Sequence, residues 1–209
     1  MKKLIHKTAA WLGRINPELL VRIRYFARFH RWLNLRNPRT LNEKILYLSL
    51  CTDTSVWTKL TDKLNVRSYV ADCGYEDTLV PLFGVWEHAE DIDFDTLPDE
   101  FVIKTTHSSG DVIVVTDKTQ MNEKAIRASM RQTLATCYGE VEGGRHYYDI
   151  PRKVIAEQLL HNDPESAKYS SSIIDYKIWC FNGKAHFIRA YSNRKGREGD
   201  VMTYDHDQI

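Results

Sequence analysis

A lysine placed at the end of a strand is the clearest chemical candidate in this sequence. Residues 101–115 read Phe-Val-Ile-Lys-Thr-Thr-His-Ser-Ser-Gly-Asp-Val-Ile-Val-Val. Two β-branched apolar runs flank a small polar loop at Ser108, Ser109 and Gly110, which predicts strand, turn, strand. Lys104 stands where the first strand meets the loop. The backbone N–H groups of such a loop can converge on one anion while the ammonium supplies a point charge, so phosphate is the natural guest. The segment is neither Gly-x-x-x-x-Gly-Lys-Ser/Thr nor Gly-x-Gly-x-x-Gly. An ordinary hairpin with a solvated lysine has the same letters. A second candidate is Asp175-Tyr-Lys177, where alternation puts the acid, the lysine and Trp179 on one strand face. In water such a pair is worth under about 1 kcal/mol; facing a cleft it would hold a phosphate or a substrate carboxylate.

These residues need elements to position them. Residues 173–181, Asn182-Gly183 and 185–191 form the clearest hairpin, because Asn-Gly between alternating strands is the strongest short hairpin signal. Residues 79–86 read as a buried strand, and 151–160 deliver a short strand into Glu157 and Gln158. Ile126, Met130 and Leu134 mark a helix over about 122–138, with a flexible loop at 139–144 and an aromatic turn after it. A further helix, carrying Arg67, starts near Thr61 and ends at Cys73-Gly74. Thr40 with Glu43 predicts a capping box opening another. Residues 161–172 are polar and serine-rich, which predicts a mobile loop.

Charge is unevenly distributed. The net charge is +1, yet residues 1–44 hold eleven Lys and Arg against Glu18 and Glu43, a net of +9, and the remainder nets −8. Within the basic part, Leu19, Ile23, Phe26, His30 and Leu33 form one helical stripe, with Arg24, Arg28 and Arg31 on another face. Asn16 and Pro17 predict its N-terminus. The helix is expected to dock through the stripe with its basic side in water. The sharper reading is a basic face, within residues 1–44, that meets anionic lipid or a lipid-linked sugar phosphate. No nucleic-acid motif accompanies it, so nucleic acid is not expected as a partner. The 209 residues suit one domain, or one with an appendage. Four scattered cysteines signal neither zinc nor disulfides and fit a reducing cytoplasm. No apolar run reaches the ~20 residues of a membrane span, and the basic start lacks the apolar core of a cleaved leader.

The order of the parts is more specific than any one of them. Thr61-Asp-Lys, Leu82-Phe-Gly-Val-Trp, Phe101-Val-Ile-Lys, His107-Ser-Ser-Gly, Ile155-Ala-Glu-Gln and Asp175-Tyr-Lys with Phe181-Asn-Gly follow in succession. This succession resembles the ATP-grasp superfamily, and within it the TupA-like branch of teichuronopeptide and polysaccharide biosynthesis, from about residue 38 to 205. The resemblance implies an α+β ATP-grasp fold. Residues 1–50 would be a basic helical N-terminal region, 51–150 a small nucleotide-binding subdomain with a flap, and 151–209 the start of a larger subdomain, C-terminally incomplete. It implies that Lys63 and Lys104 reach ATP phosphates, with Ser108, Ser109 and Gly110 forming the flap over them and His107 beside the site in a loop hydrogen-bonding role. Glu157 and Gln158 would meet the adenine amino edge, and Asp163 or Glu165 the ribose. Asp175, Lys177 and Arg189 would stand near the γ-phosphate and the acceptor.

The implied activity is ATP-dependent carboxylate–amine ligation through an acyl phosphate, with Mg²⁺ as cofactor, on a polysaccharide precursor. The implied place is the cytoplasm, peripheral at the inner face of the membrane. The family's Mg²⁺ ligands have no match here, since Asp205 and Asp207 fall at an earlier strand and turn. The chain is therefore expected to be a fragment of a longer protein or a member that binds without turning over. Two other readings stay open. A glycosyltransferase-type enzyme would use an Asp-x-Asp motif, met formally by Asp91-Ile-Asp93 and Asp205-His-Asp207. A non-catalytic, membrane-associated member would act through its basic helix.

Overall fold

The computed structural model describes residues 2–195 and 198–205, which fall into two compact units, Met1–Leu159 and Leu160–Ile209. Helices and antiparallel sheets together make the expected α+β class. The first unit opens with α1 (Lys2–Ile15) and α2 (Pro17–Phe29). The break between them has a local cause: the Asn16 side chain accepts the Leu19 N–H and Pro17 occupies the first turn. The side on which α2 docks differs from expectation. Leu20, Val21 and Tyr25 are buried, with Leu33 and Leu35 beyond the helix, while Leu19, Ile23 and Phe26 of the stripe are exposed, as is His30. Two arginines of the expected water-facing side are used within the chain: Arg24 pairs with Glu142 at 2.6 Å, and Arg31 donates to the Tyr25 hydroxyl at 2.8 Å. Burying Tyr25, with its hydroxyl bonded to Arg31, outweighs the periodicity of the stripe.

Thr40 and Glu43 form the expected capping box and open α3 (Leu41–Cys51). Next come α4 (Ser55–Thr61) and α5 (Asn65–Asp72). The helix expected to start near Thr61 begins at Asn65 instead. The buried Asp62 carboxylate accepts the backbone N–H groups of Leu64 and Asn65, which ends one helix and starts the other.

The four-stranded antiparallel sheet holds β1 (Leu82–Trp86), β2 (Phe101–Thr105), β3 (Val112–Val115) and β4 (Val154–Glu157), in the order β1-β4-β2-β3. Because β4 pairs with both β1 and β2, it completes this sheet rather than opening a second subdomain near residue 151. β1 is an edge strand with alternating burial, not the fully buried strand its composition suggests. One sheet face packs Phe101, Ile103, Val115, Val154 and Ala156 against Ile126 and Met130 of α6 (Glu123–Leu134). Each of the larger side chains contributes about 1.5–3 kcal/mol. Arg127 of α6 fixes the preceding connection by donating to the carbonyls of Ala89, Glu90 and Ile92.

The loop expected at 139–144 contains α7 (Tyr138–Glu142), which packs on α1. The contact is backbone against backbone: a Cβ on Gly13 would collide with the Glu140 carbonyl oxygen, so only glycine allows it. Arg14 binds Glu140 through two 3.0 Å bonds, and the Tyr148 hydroxyl donates to the Gly13 carbonyl at 2.9 Å.

The second unit is an antiparallel sheet of β5 (Asp175–Phe181), β6 (Lys184–Lys195) and β7 (Glu198–Asp205). The expected hairpin turns at Asn182-Gly183, with Lys177 opposite Arg189. The stretch before it is held by its own bonds. Asp163 accepts from the Glu165 and Ser166 N–H groups and from the Ser166 hydroxyl. Asn162 donates to the Ser172 carbonyl and accepts from the Ile174 N–H.

Candidate nucleotide site

The second face of the four-stranded sheet places two cations on one carboxylate, with a third lysine bonded to the neighbouring loop. Alternation along β2 sends Phe101, Ile103 and Thr105 into the core and leaves Val102 and Lys104 on the opposite face. The same alternation along β4 puts Glu157 on that face. Glu157 pairs with Lys104 through one carboxylate oxygen and approaches Arg67 at 3.5 Å through the other. Arg67 comes from α5 and is braced by a 2.7 Å bond to the Val80 carbonyl.

Lys63 arrives by a different route. Its backbone N–H and its ammonium both donate to the Thr106 carbonyl, at 3.3 Å each, and the ammonium also donates to the Ser108 carbonyl. Burial, and then the charge of Lys104, push the Lys63 ammonium below the ordinary lysine range, with Asp111, Asp62 and Glu157 opposing. A group held charged against that penalty gains from an arriving anion.

The loop after Lys104 is anchored over most of its length. The Thr106 N–H donates to the Lys153 carbonyl, and its hydroxyl donates to the Pro151 carbonyl at 2.7 Å. The Thr105 and Ser108 hydroxyls are 2.5 Å apart. His107 is buried, with Nε2 bonded to the Thr136 carbonyl at 3.0 Å and Nδ1 without a partner. Burial lowers its pKa, so the ring is neutral at about pH 7. Ser108 is therefore part of a fixed base, and Ser109, Gly110 and Asp111 stand out from it. Gly110 has φ +91°, a conformation open to glycine.

Of the residues that the resemblance gives to the nucleotide, the structure gathers Lys63, Lys104 and Glu157 on or beside one face. It sets His107 and Ser108 into the supporting loop. The Gln158 N–H donates to the Pro81 carbonyl and its side chain is exposed. The Glu157 carboxylate is turned to cations. Arg67 has no role in the sequence reading. The available signal is a basic residue in the first turn of the helix that opens just after Lys63.

In the second unit, Asp175, Lys177 and Arg189 share one face of β5 and β6. Asp175 binds Lys177 at 2.9 Å and Arg194 at 3.2 Å. The Arg189 guanidinium lies 5.6 Å from the Trp179 ring centroid and 5.9 Å from that of Phe187, with Nε buried and unpaired. Asp163 and Glu165 are engaged within their own loop, Glu165 with Lys168 at 2.6 Å. Among the described residues no three acids, histidines or cysteines stand together to hold a metal ion. Asp207 and the side chain of Asp205 lie outside the described residues. Asp91 ends a 3₁₀ turn and Asp93 caps the next bend, so that Asp-x-Asp pair follows no strand directly.

No curated protein and no solved structure matches the chain. Residues 43–207, which include every motif of the succession as well as both cation groups, match the family model described as TupA-like ATPgrasp. The chain belongs to the TupA-like ATP-grasp family.

Proposed function

We propose that this protein is an ATP-dependent carboxylate–amine ligase that works on a precursor of a cell-surface polysaccharide or peptidic polymer. The observation that carries the reading is the gathering of Lys63, Arg67 and Lys104 beside a small-residue loop, with Glu157 as the counter-ion of Arg67 and Lys104. Such a cluster suits a polyphosphate, since charge on a transferring phosphoryl group needs cations already in place.

In the proposed reaction a substrate carboxylate oxygen attacks the γ-phosphorus. The bond from that phosphorus to the bridging oxygen breaks, and ADP leaves. An amine nitrogen then attacks the acyl carbon, the bond to the phosphate oxygen breaks, and inorganic phosphate departs as the nitrogen loses a proton to solvent. Lys63, Lys104 and Arg67 hold the phosphates, and Ser109 with Gly110 cover them. Lys177 and Arg189 are the proposed holders of the anionic substrate, with Asp175 orienting Lys177.

The net +9 of residues 1–44 supports a peripheral position at an anionic membrane surface. No helix among the described residues is long and apolar enough to cross a membrane. Calorimetric titration with a non-hydrolysable ATP analogue tests the central claim. Binding by the native chain that is lost in Lys104→Ala is expected; binding unchanged in that variant would sink the assignment.

A further inference from the structure

The N-terminal helices leave large apolar side chains uncovered, and those of α2 form a ridge. Trp11 and Ile15 lie one turn apart on α1 and are 65% and 63% exposed. Leu19, Ile23 and Phe26 follow at helical spacing on α2, all exposed, and Phe26 stacks on Trp32 at 4.6 Å, itself 67% exposed. Side chains of this size are ordinarily the first to be buried. The opposite side of α2 is already satisfied by Leu20, Val21, Tyr25 and the Arg24–Glu142 pair.

We propose that the α2 ridge of Leu19, Ile23 and Phe26, with Trp32 stacked on Phe26, inserts into the headgroup–acyl boundary of an anionic lipid leaflet. This rests on the peripheral position proposed above and names its mode: apolar insertion rather than a water-facing arginine surface. Charge selects the occupant. The segment that carries the ridge is net +9, so a second copy would bring like charge to like, whereas anionic headgroups complement it. Indole rings favour that boundary, having an apolar body and one N–H donor. An amphipathic helix with this pattern lies in the interface without spanning it.

The test is flotation of the full chain with phosphatidylglycerol-containing vesicles and with pure phosphatidylcholine vesicles, with tryptophan emission recorded. The native chain is expected to float with the anionic vesicles and to shift its emission to the blue. The Ile23→Ser, Phe26→Ser double variant removes no core side chain and is expected to partition at least about tenfold less, with nucleotide binding unchanged. Flotation that survives in the variant would overturn the ridge and leave an electrostatic attachment standing. No flotation by the native chain would overturn both the ridge and the peripheral position, above all if sedimentation shows a dimer that the variant dissociates.

Discussion

Lys104 of β2 and Glu157 of β4 form a diagonal ion pair across neighbouring antiparallel strands, with Val102 opposite Glu157 in the register and Ile155 opposite Lys104. Arg67 reaches the same carboxylate from α5. Glu157 is therefore the shared counter-ion of Lys104 and Arg67.

Glu157→Gln is expected to lower the stability of the nucleotide-free protein by about 1–3 kcal/mol, since two cations lose a shared acceptor. A bound nucleotide would supply the missing charge. The rise in melting temperature on adding an ATP analogue should therefore be larger in the variant than in the native chain. A smaller rise would return Glu157 to the adenine edge.

Lys63 gives a proton-linked signature. Its pKa in the folded protein is lowered, so the nucleotide-free ammonium loses its proton at lower pH than free lysine does. A triphosphate alongside would raise that pKa again. Between the two values, below the ordinary lysine range, binding takes up a proton, and calorimetric enthalpies should vary with the ionisation enthalpy of the buffer. Lys63→Gln should remove the buffer dependence.

His107 sets part of the acid sensitivity. Its folded pKa lies below the ordinary histidine value because burial disfavours the imidazolium. The stability it contributes is complete above the unfolded value and is lost as pH falls through the folded one. Urea midpoints of the native chain should drop as pH falls below the ordinary histidine value of about 6.5, and His107→Gln should drop less.

The capping box supplies a second acid-linked group. The Thr40 and Arg39 backbone N–H groups hold Glu43 at a pKa of about 2, so its contribution begins to fade as pH falls through the ordinary carboxylate value and is gone only near the folded one. Thr40→Ala should cost about 1 kcal/mol in denaturant unfolding. It should also raise the Glu43 pKa measured by carboxylate NMR.

Local chemistry is legible in the residues themselves. Asn16-Pro17, Thr40 with Glu43, Asn122 ahead of its helix and Asn182-Gly183 each fold as their side chains dictate. Lys104 is legible because a strand end next to a small-residue loop has few uses. Long-range pairing is not. That Arg67 shares Glu157 with Lys104 depends on the packing of α5 beside a strand much later in the chain, which no spacing encodes. Periodicity misplaces the docking side of α2 for a related reason: it reports an apolar stripe but not whether a tyrosine with charged neighbours will win the interior. The loop at 139–144 hides α7 because its glycines, usually turn residues, are used there for close approach.

The match to the family begins at Glu43, inside the box that Thr40 completes. A chain trimmed to the matched segment would lose its N-cap and the Gly13 carbonyl that receives Tyr148, and would leave Glu140 and Glu142 without their arginines. The helices ahead of the match are therefore part of the same cooperative unit as the sheet. Limited proteolysis should spare the junction around residue 40, and shortened versions made for crystallisation should keep everything from α1 onward.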